Sequence, residues 1–412
     1  MIQKTIKIIK FIWKEGFSGL KKVLIKKIIL FLSPPNNALS KTYYIYIPKK
    51  YGSQYIRNEQ IVDINWFIPA FNPGSGSGGH LNIFRMVHFL EIFGIKNNLI
   101  IVESNHLSKA QSKRIINEDY IPVNAEVFEG RKEVKPALIS MATEWRTAYP
   151  VRDFIGSPIK TYFVQDYEPL FYPPGTDSAL AEDTYKFGFY GITAGDWIKD
   201  TLKEKYNMPC ESFEFSYDKH LYVAADDVNI PQNTWKKDRP RVFFYLRTNT
   251  PRRGAYLGLL ALGELKKRFP EVEIIIAGEN NKDLILPFEV TNLGLLQLSQ
   301  LHDIYKSVDL ALVLSFTNLS LLPLELMASN CSLLINEGLN NRWGLNEDIC
   351  SFCDPTIESI TDKMLELLKN HELRNRLRKN AVKYVVTTSW EKEAEKVFKI
   401  LTNLQKKYLN ND

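Results

Sequence analysis

The sequence predicts an α/β protein made of two similar halves, each a parallel sheet covered by helices. From Ile61 onwards, short apolar strand-like runs alternate with amphipathic helical runs, which is typical of parallel sheets with helices on both faces. The alternation stops in a looser stretch, Tyr222–Arg239, and then restarts. A chain of 412 residues is long enough for two cores. The cleft between the halves is therefore the expected site.

The first half is predicted to contain six strands and three helices, from the period of its apolar residues. The strands are predicted at Val62–Pro69, Leu99–Val102, Ala137–Met141, Lys160–Gln165, Phe187–Thr193 and Glu211–Ser216, and the helices at Leu81–Phe93, Lys109–Asn117 and Ala194–Tyr206.

The second half repeats the alternation and ends in helices. Its strands are predicted at Val242–Leu246, Val272–Ala277, Asn292–Leu295, Leu310–Ser315 and Ser332–Ile335, and its helices at Ala255–Phe269, Leu298–Ser307, Pro323–Ser329, Glu358–Asn370, His371–Tyr384 and Glu391–Lys406.

Residues 1–33 form a basic, apolar arm. They hold eight Lys against Glu15, a net charge of +7, whereas the whole chain carries +6. The body is thus nearly neutral, and no nucleic-acid-binding surface is predicted. The arm's uncharged apolar runs are too short to cross a bilayer. Lys residues mixed with Trp13 and Phe17 favour a helix lying on an anionic membrane surface; the alternative is a basic helix docked on the protein's own body.

The four cysteines do not follow a metal-binding pattern. Cys350 and Cys353 are one pair without a second pair or a His partner, so we expect free thiols in a reducing cytosol and no zinc. No small-residue cleavage site follows a clean apolar core, which argues against a signal peptide. The expected location is the cytoplasm, peripheral at the inner face of the cell membrane.

A basic loop follows the predicted strand Val242–Leu246. It contains Arg247, Arg252, Arg253 and then Gly254. Open α/β sheets bind ligands at the carboxyl ends of their strands, and the planar guanidinium group suits phosphate oxygens. The loop therefore predicts a phosphate-binding site; the alternative is a solvated basic loop.

A glycine-rich turn, Gly74–Gly79, separates the first predicted strand from its helix, and His80 follows it. Backbone N–H groups in such a turn can approach an anion at a helix N-terminus. The spacing differs from the dinucleotide-binding fingerprint. The alternatives are a flexible connector for the turn and a local cap for His80.

Glu325 lies in the first turn of a predicted helix that begins near Pro323. Its carboxylate can accept hydrogen bonds from sugar or ribose hydroxyls. The backbone N–H groups of residues 320–322 can hold a phosphate. The alternative is a Glu that only stabilises the helix dipole.

Acidic and aromatic residues follow two further predicted strands. The segment 165–168 reads Gln-Asp-Tyr-Glu, and 143–147 reads Thr-Glu-Trp-Arg-Thr. Rings that stack on sugars and acids that bind hydroxyls predict a carbohydrate-facing surface; the alternative is ordinary polar turns with core aromatics. The sequence shows no Ser-His-Asp elbow, no metal-binding His pair and no Asp-x-Asp after an early strand.

These residues resemble a known family over about residues 60–405. The chain is similar to retaining GT-B glycosyltransferases of family 4, and more narrowly to the bacterial, WsaF-like rhamnosyltransferases of S-layer glycan and rhamnan-type polysaccharide synthesis. The positions that carry the resemblance are Arg247, Arg253-Gly254, Glu325, Gly78-Gly79-His80, Trp66–Pro69, Gln165–Glu168, Trp197 and Ser389-Trp390. One position departs: the first Glu of the family's Glu-x7-Glu motif is Thr317 here.

The resemblance implies a fold, a reaction and residue roles. The fold is GT-B, with an arm at 1–36, an acceptor-side Rossmann-like domain at 37–232, a donor-binding one at 233–388 and a crossing helix at 389–412. The donor is a nucleotide sugar, dTDP-L-rhamnose, used without a metal or another cofactor, and the acceptor is a lipid-linked or growing polysaccharide. The implied catalytic residues are Arg247, Arg253 and Glu325, the further donor-binding ones are Gly78, Gly79, Ser320, Leu321 and Leu322, and the acceptor-side ones are His80, Trp145, Gln165, Asp166 and Glu168.

Two other functions stay open at this point. Because Thr317 replaces a family carboxylate, the chain is alternatively a nucleotide-sugar or glycan-binding protein that kept the fold and lost the activity. It is alternatively a transferase that uses a UDP- or GDP-sugar.

Overall fold

The computed structural model describes residues 46–56, 62–71, 78–103, 107–131, 133–223, 239–279 and 284–410. The chain divides into one unit of residues 1–49 and another of residues 50–412. The predicted arm at 1–36 and the turn residues 74–77 lie outside the described residues.

The first sheet, within the second unit, contains seven parallel strands. They are β1 (Asp63–Ile68), β2 (Lys96–Ile101), β3 (Glu126–Glu129), β4 (Ile139–Ala142), β5 (Ile159–Val164), β6 (Tyr190–Ala194) and β7 (Cys210–Phe213), in the order β3-β2-β1-β4-β5-β6-β7. The α-helices around it are α1 (Gly78–Ile92), α2 (Lys109–Ile115), α3 (Trp145–Asp153), α4 (Thr176–Asp183) and α5 (Asp196–Tyr206).

The second sheet contains six parallel strands. They are β8 (Arg241–Tyr245), β9 (Glu273–Ala277), β10 (Thr291–Asn292), β11 (Leu310–Val313), β12 (Ser332–Asn336) and β13 (Ser351–Cys353), in the order β10-β9-β8-β11-β12-β13. Its helices are α6 (Ala255–Arg268), α7 (Leu298–Lys306), α8 (Leu322–Ala328), α9 (Leu339–Arg342), α10 (Ile357–Lys369), α11 (His371–Val385) and α12 (Trp390–Asn410).

Both sheets have Rossmann-like strand order. In each, the first strand of the sheet lies in the middle, and the chain continues outward on one side before crossing to the other. The switch points are between β1 and β4 and between β8 and β11, where such sheets bind ligands. The predicted α/β class with two similar halves is confirmed.

The central strand β1 shows why the sequence folds this way. Five of its six residues are buried, as expected for a parallel strand with both faces covered. Its buried polar groups are paired: Trp66 Nε1 donates to Asn97 Oδ1 at 2.8 Å, and Asn98 Nδ2 donates to Asn65 Oδ1 at 2.9 Å. Each buried donor therefore avoids the cost of an unmade hydrogen bond.

The last helix, α12, packs on the first half. Phe398 lies against Phe93, with ring centroids 5.4 Å apart, and Glu393 Oε2 accepts the backbone N–H of Glu214 at 2.7 Å. The Arg85 guanidinium lies 5.5 Å from the Trp390 ring centroid. The C-terminal helix thus ties the two halves together.

Several elements differ from the sequence-based expectation. Strands β3 and β13 and helices α3, α4 and α9 were not predicted. The segment at Trp145, interpreted as part of a carbohydrate-facing surface or alternatively as a polar turn, begins helix α3, which contains Pro150 in its second turn. Helix α5 begins after Gly195, whose φ of 89° ends β6, so the predicted start at Ala194 is two residues early.

Among the described residues, no helix has both the length and the apolar character needed to cross a membrane. The four cysteines are buried and free of disulfides, as the sequence predicts.

Candidate active site

A cavity of about 500 Å³ lies at the carboxyl ends of both sheets and is lined by residues from each half. It brings together twelve of the thirteen predicted site residues: Gly78, Gly79, His80, Gln165, Asp166, Glu168, Arg247, Arg253, Ser320, Leu321, Leu322 and Glu325. It also includes Asn82, Glu144 and Arg252, which the sequence did not single out as site residues.

The basic loop reaches the cavity because of a glycine. The loop makes a tight turn at Pro251–Arg253 and continues through Gly254, whose φ is 60°. A Cβ atom at residue 254 would lie 2.9 Å from Leu314 Cδ1 and 3.0 Å from Phe316 Cε2. Only glycine combines this left-handed backbone with this close approach. The loop is thereby held against the segment that follows β11.

Three arginines of this loop form what we call the arginine clamp: Arg247, Arg252 and Arg253. Arg253 Nη1 donates to Ser315 Oγ and, at 3.1 Å, to the carbonyl oxygen of Asn318. The Arg252 guanidinium lies 3.8 Å from the Phe171 ring centroid, and that of Arg247 lies 5.3 Å from the Tyr245 ring centroid. The clamp is therefore oriented by rings and neutral oxygens, which leave its positive charge in place.

Burial makes this charge costly. It lowers the pKa of Arg253 to about 10 and also lowers the pKa of Arg252, and Asp166 opposes both shifts. The Nε atom of Arg252 is buried without a hydrogen-bond partner among the described residues. Buried cations with unused donors favour the binding of an anion.

Asp166, from the first half, is the carboxylate beside the clamp. Its Oδ2 lies 3.7 Å from Arg252 Nε and 3.8 Å from Arg253 Nη2. Its hydrogen bonds go elsewhere: Thr317 Oγ1 donates to Oδ2 at 2.9 Å, and the backbone N–H of Asn318 donates to Oδ1 at 2.7 Å. A glutamate at residue 317 could not take this role, because its carboxylate has no proton to donate and would repel the Asp166 carboxylate.

Asn318 extends this contact between the halves. Its Nδ2 donates to the carbonyl oxygens of Gln165 at 2.9 Å and Ala194 at 2.8 Å, and its Oδ1 accepts from Trp343 Nε1 at 2.9 Å. Thr317 and Asn318 are completely buried. The segment after β11 is therefore fixed on the carboxyl ends of β5 and β6.

Glu325 lies in helix α8, near first-half residues. Burial raises the pKa of its carboxyl to about 7; Arg85 and Tyr222 limit the rise, and Asp218 adds to it. Arg85 is itself paired with Asp218 at 2.9 Å. The buried Tyr222 hydroxyl is close enough to affect Glu325 but has no hydrogen bond of good geometry within the described ranges. Glu325 lies in the first turn of α8 and makes no side-chain capping hydrogen bond there.

Glu168 differs from its predicted role as an acid facing a sugar. Its side chain is buried, and Oε2 accepts the backbone N–H of Trp145 at 2.6 Å and the Tyr162 hydroxyl at 2.7 Å. Burial, with a further contribution from the Glu144 carboxylate, raises the pKa of Glu168 well above its usual range. Glu168 therefore supports the cavity wall through hydrogen bonds, as an acid that ionises less readily than usual.

Trp145 is the predicted site residue that the structure moves out of the cavity. It is 1% exposed, and its Nε1 donates to the Tyr172 hydroxyl at 3.0 Å. Because it starts helix α3, its ring packs under the wall instead of facing a sugar. The preceding residue, Glu144, lines the cavity instead.

Glu144 caps helix α3. Its Oε1 accepts the backbone N–H of Arg146 at 3.3 Å, and burial raises its pKa. The sequence placed Glu144 in the segment 143–147 at the sheet edge where ligands bind, but Trp145 was chosen there as the site residue because helix α3 was not predicted.

The start of helix α1 forms another part of the wall. Gln165 Nε2 donates to the Gly79 carbonyl oxygen at 3.1 Å, and Asn82 Nδ2 donates to Gln165 Oε1 at 3.1 Å. A ring nitrogen of His80 lies 3.2 Å from the Pro69 carbonyl oxygen, and burial lowers the pKa of His80. His80 is therefore a mainly neutral cavity residue at pH 7.

No group of three or more His, Cys, Asp or Glu side chains is placed to hold a metal ion in the part of the chain that the structure describes.

Two models of one protein family match this chain. The model of the WsaF N-terminal domain matches residues 63–194, and that of the WsaF C-terminal domain matches residues 240–365. Together they cover more than half of the chain.

A curated relative is the O-antigen biosynthesis protein RfbC of Myxococcus xanthus. It is 33% identical over 349 residues, which are 82% of this chain and 27% of RfbC. The chain thus spans about a quarter of the length of this relative.

Solved structures share the fold at low identity. A variant of S. aureus TarM in complex with fondaparinux, alpha-GlcNAc-glycerol and UDP has a TM-score of 0.66 at 9% identity, covering 83% of this chain and 100% of that chain. Anabaena HepE in complex with UDP and glucose has a TM-score of 0.64 at 13% identity, with the same coverage of both chains. The predicted GT-B fold is confirmed.

Proposed function

Because the chain belongs to the WsaF family of GT-B glycosyltransferases, we propose that it transfers a hexose from a nucleotide-sugar donor to a growing cell-surface polysaccharide. We further propose that the donor is dTDP-L-rhamnose and that the enzyme retains the anomeric configuration without a metal ion.

The observation that carries this proposal is the arginine clamp in the cavity. The cavity holds three guanidinium groups at the carboxyl end of the second sheet, two of them beside the Asp166 carboxylate, and guanidinium groups suit the oxygens of a diphosphate. As the bond between sugar and phosphate breaks, negative charge grows on the leaving diphosphate. Arg247 and Arg253 stabilise that charge in a preorganised site.

Glu325 is proposed to bind donor hydroxyls. Its carboxylate lines the same cavity as the clamp, together with the backbone of Ser320, Leu321 and Leu322. Apolar side chains, among them Phe215 and Leu301, form part of the wall. Such a wall is compatible with the methyl group of a 6-deoxyhexose, which supports rhamnose as the transferred sugar.

The acceptor is proposed to approach from the first half. That wall is lined by His80, Gln165 and Glu144. We assign the binding of acceptor hydroxyls to Glu144, because the side chains of Glu168 and Trp145 make hydrogen bonds within the wall. A lipid-linked or polysaccharide acceptor agrees with the name of the relative RfbC, an O-antigen biosynthesis protein.

The direct test combines a nucleotide screen with transfer assays. We expect dTDP to raise the Tm more than UDP or GDP, and we expect Arg247→Ala and Glu325→Ala to lose most transfer. Lys267→Ala, on the exposed face of α6, serves as the control. Full activity in both site variants would overturn the site assignment, and a preference for UDP or GDP would replace the rhamnose donor.

The second candidate is a binding protein without activity, for which Thr317 is the supporting observation. Thr317 stands where the family has a glutamate, and its hydroxyl donates a hydrogen bond to Asp166. The side chain at this position therefore holds the two halves together and supplies no carboxylate to the donor sugar. Nucleotide-sugar binding without turnover on varied acceptors, including polysaccharide fragments, would favour this candidate.

The arm at residues 1–33 is proposed to hold the enzyme at the inner face of the membrane, on its charge of +7. Deleting it is expected to reduce sedimentation with anionic vesicles and to leave activity on a soluble acceptor largely intact. Unchanged sedimentation would refute this role.

A further inference from the structure

We propose that Asp166 is a positioning residue of the donor site, whose negative charge limits the affinity of the arginine clamp for the nucleoside diphosphate product. This inference rests on the proposed function and assigns Asp166 to the donor side of the cavity, not to the acceptor side.

The hydrogen bonds of Asp166 fix its carboxylate without using the clamp. Oδ1 accepts the backbone N–H groups of Tyr167 at 2.8 Å and Asn318 at 2.7 Å, and Oδ2 accepts the Thr317 hydroxyl at 2.9 Å. The guanidinium nitrogens stay at 3.7 and 3.8 Å, beyond a hydrogen bond. Asp166 therefore takes up none of the N–H donors of Arg252 and Arg253, and Arg252 Nε stays without a hydrogen-bond partner among the described residues.

The charge of Asp166 nevertheless acts on anything that the clamp binds. The carboxylate is 8% exposed, so water screens it weakly, and it repels a phosphate that approaches Arg252 and Arg253. A nucleotide sugar carries two negative charges on its diphosphate. The released nucleoside diphosphate gains a third as its terminal phosphate ionises. The repulsion is thus larger for the product than for the donor, which favours product release.

The two roles of Asp166 can be separated by substitution. Asp166→Asn removes the charge and keeps an oxygen for the two backbone N–H groups. Thr317→Val keeps the charge and removes one hydrogen bond between the halves. Asp200→Asn makes the same charge change on the exposed face of α5 and controls for net charge.

The test measures dTDP, UDP and GDP binding by calorimetry, and product inhibition against the donor KM. We expect Asp166→Asn to bind the nucleoside diphosphate about tenfold more tightly and to lower the ratio of product Ki to donor KM at least threefold. Thr317→Val should lower the Tm and leave the ratio of Ki to KM within twofold of wild type. Asp200→Asn should also leave this ratio within twofold of wild type, and it should not change the Tm.

Unchanged or weaker diphosphate binding by a folded Asp166→Asn protein would overturn this inference alone, since a purely structural residue does not change the ratio of Ki to KM. If wild type binds none of the three diphosphates, the proposed function fails first, and this inference fails with it.

Discussion

The two walls of the cavity treat charge in opposite ways. The second-half wall keeps three arginines charged, held by rings and carbonyl oxygens. The first-half wall buries Glu144 and Glu168, whose pKa values are raised by burial. Positive charge stabilises a leaving diphosphate, whereas buried acids with raised pKa values ionise less readily and so oppose that charge less. The difference shows how one cavity can serve an anionic donor and a neutral acceptor.

Removing a clamp arginine should have the largest effect. We expect Arg253→Ala to reduce kcat/KM about a hundredfold to a thousandfold, because the variant loses a preorganised positive charge. It also loses the hydrogen bond from Arg253 to the Asn318 carbonyl oxygen. Arg268→Ala, which removes an exposed arginine paired with Asp362, is the control. Steady-state kinetics at several donor concentrations measure the change. A decrease in kcat/KM of less than threefold in Arg253→Ala would show that the positive charge of the second-half wall does not stabilise the leaving group.

The backbone that presents the clamp is the next target. Gly254→Ala should lose roughly 1–2 kcal/mol for its positive φ and about 1–3 kcal/mol more for overlap with Leu314 and Phe316. Gly188→Ala is a matched control, since Gly188 has a φ of 75° and nothing within 4 Å of an added Cβ. Denaturant unfolding compares them. Equal losses would show that the loop relaxes away from Leu314.

The contrast between these residues also shows what a sequence can predict. Arg247, Arg253 and Glu325 could be located because strand ends and helix starts follow from local apolar periodicity, and ligands bind at the carboxyl edge. The pairing of Asp166 with Thr317 joins residues 151 positions apart. It depends on how the two halves meet, which local patterns do not specify.

Helix α3 illustrates a different kind of error. The segment 143–147 was interpreted as a carbohydrate-facing surface or a polar turn, yet a helix begins there, because Glu144 caps it and its apolar side chains are buried. Tertiary packing outweighed local propensity. The burial of Trp145 and the hydrogen bond from its backbone N–H to Glu168 both depend on that helix.

The first-half wall can be tested through Glu168. Glu168 has a raised pKa in the folded protein, so folding stability is full below pH 4.5, the ordinary value, and falls as the pH rises towards the folded pKa. The loss is at most about 1.4 kcal/mol per pH unit. Glu168→Gln imitates the neutral acid and should flatten this fall. The free energy of unfolding is measured between pH 5 and 8 for wild type and for Glu168→Gln. If it changes with pH equally in both proteins, Glu168 is ionised in the folded protein.

The smallest expected effect concerns Glu325, which belongs to the positive wall but titrates near neutrality. With a pKa of about 7, its carboxyl is mostly protonated at pH 6 and mostly ionised at pH 8. An ionised carboxylate accepts stronger hydrogen bonds from the hydroxyl groups of the nucleotide sugar. Affinity for the nucleotide sugar should therefore rise several-fold from pH 6 to pH 8. A nucleotide sugar is the right probe, because the terminal phosphate of a free diphosphate itself titrates near pH 6. His80, whose pKa is lowered, stays mostly neutral above pH 6.5. Glu325→Gln should bind with no such dependence on pH, and a rise that persists in this variant would assign the titration to another group of the cavity.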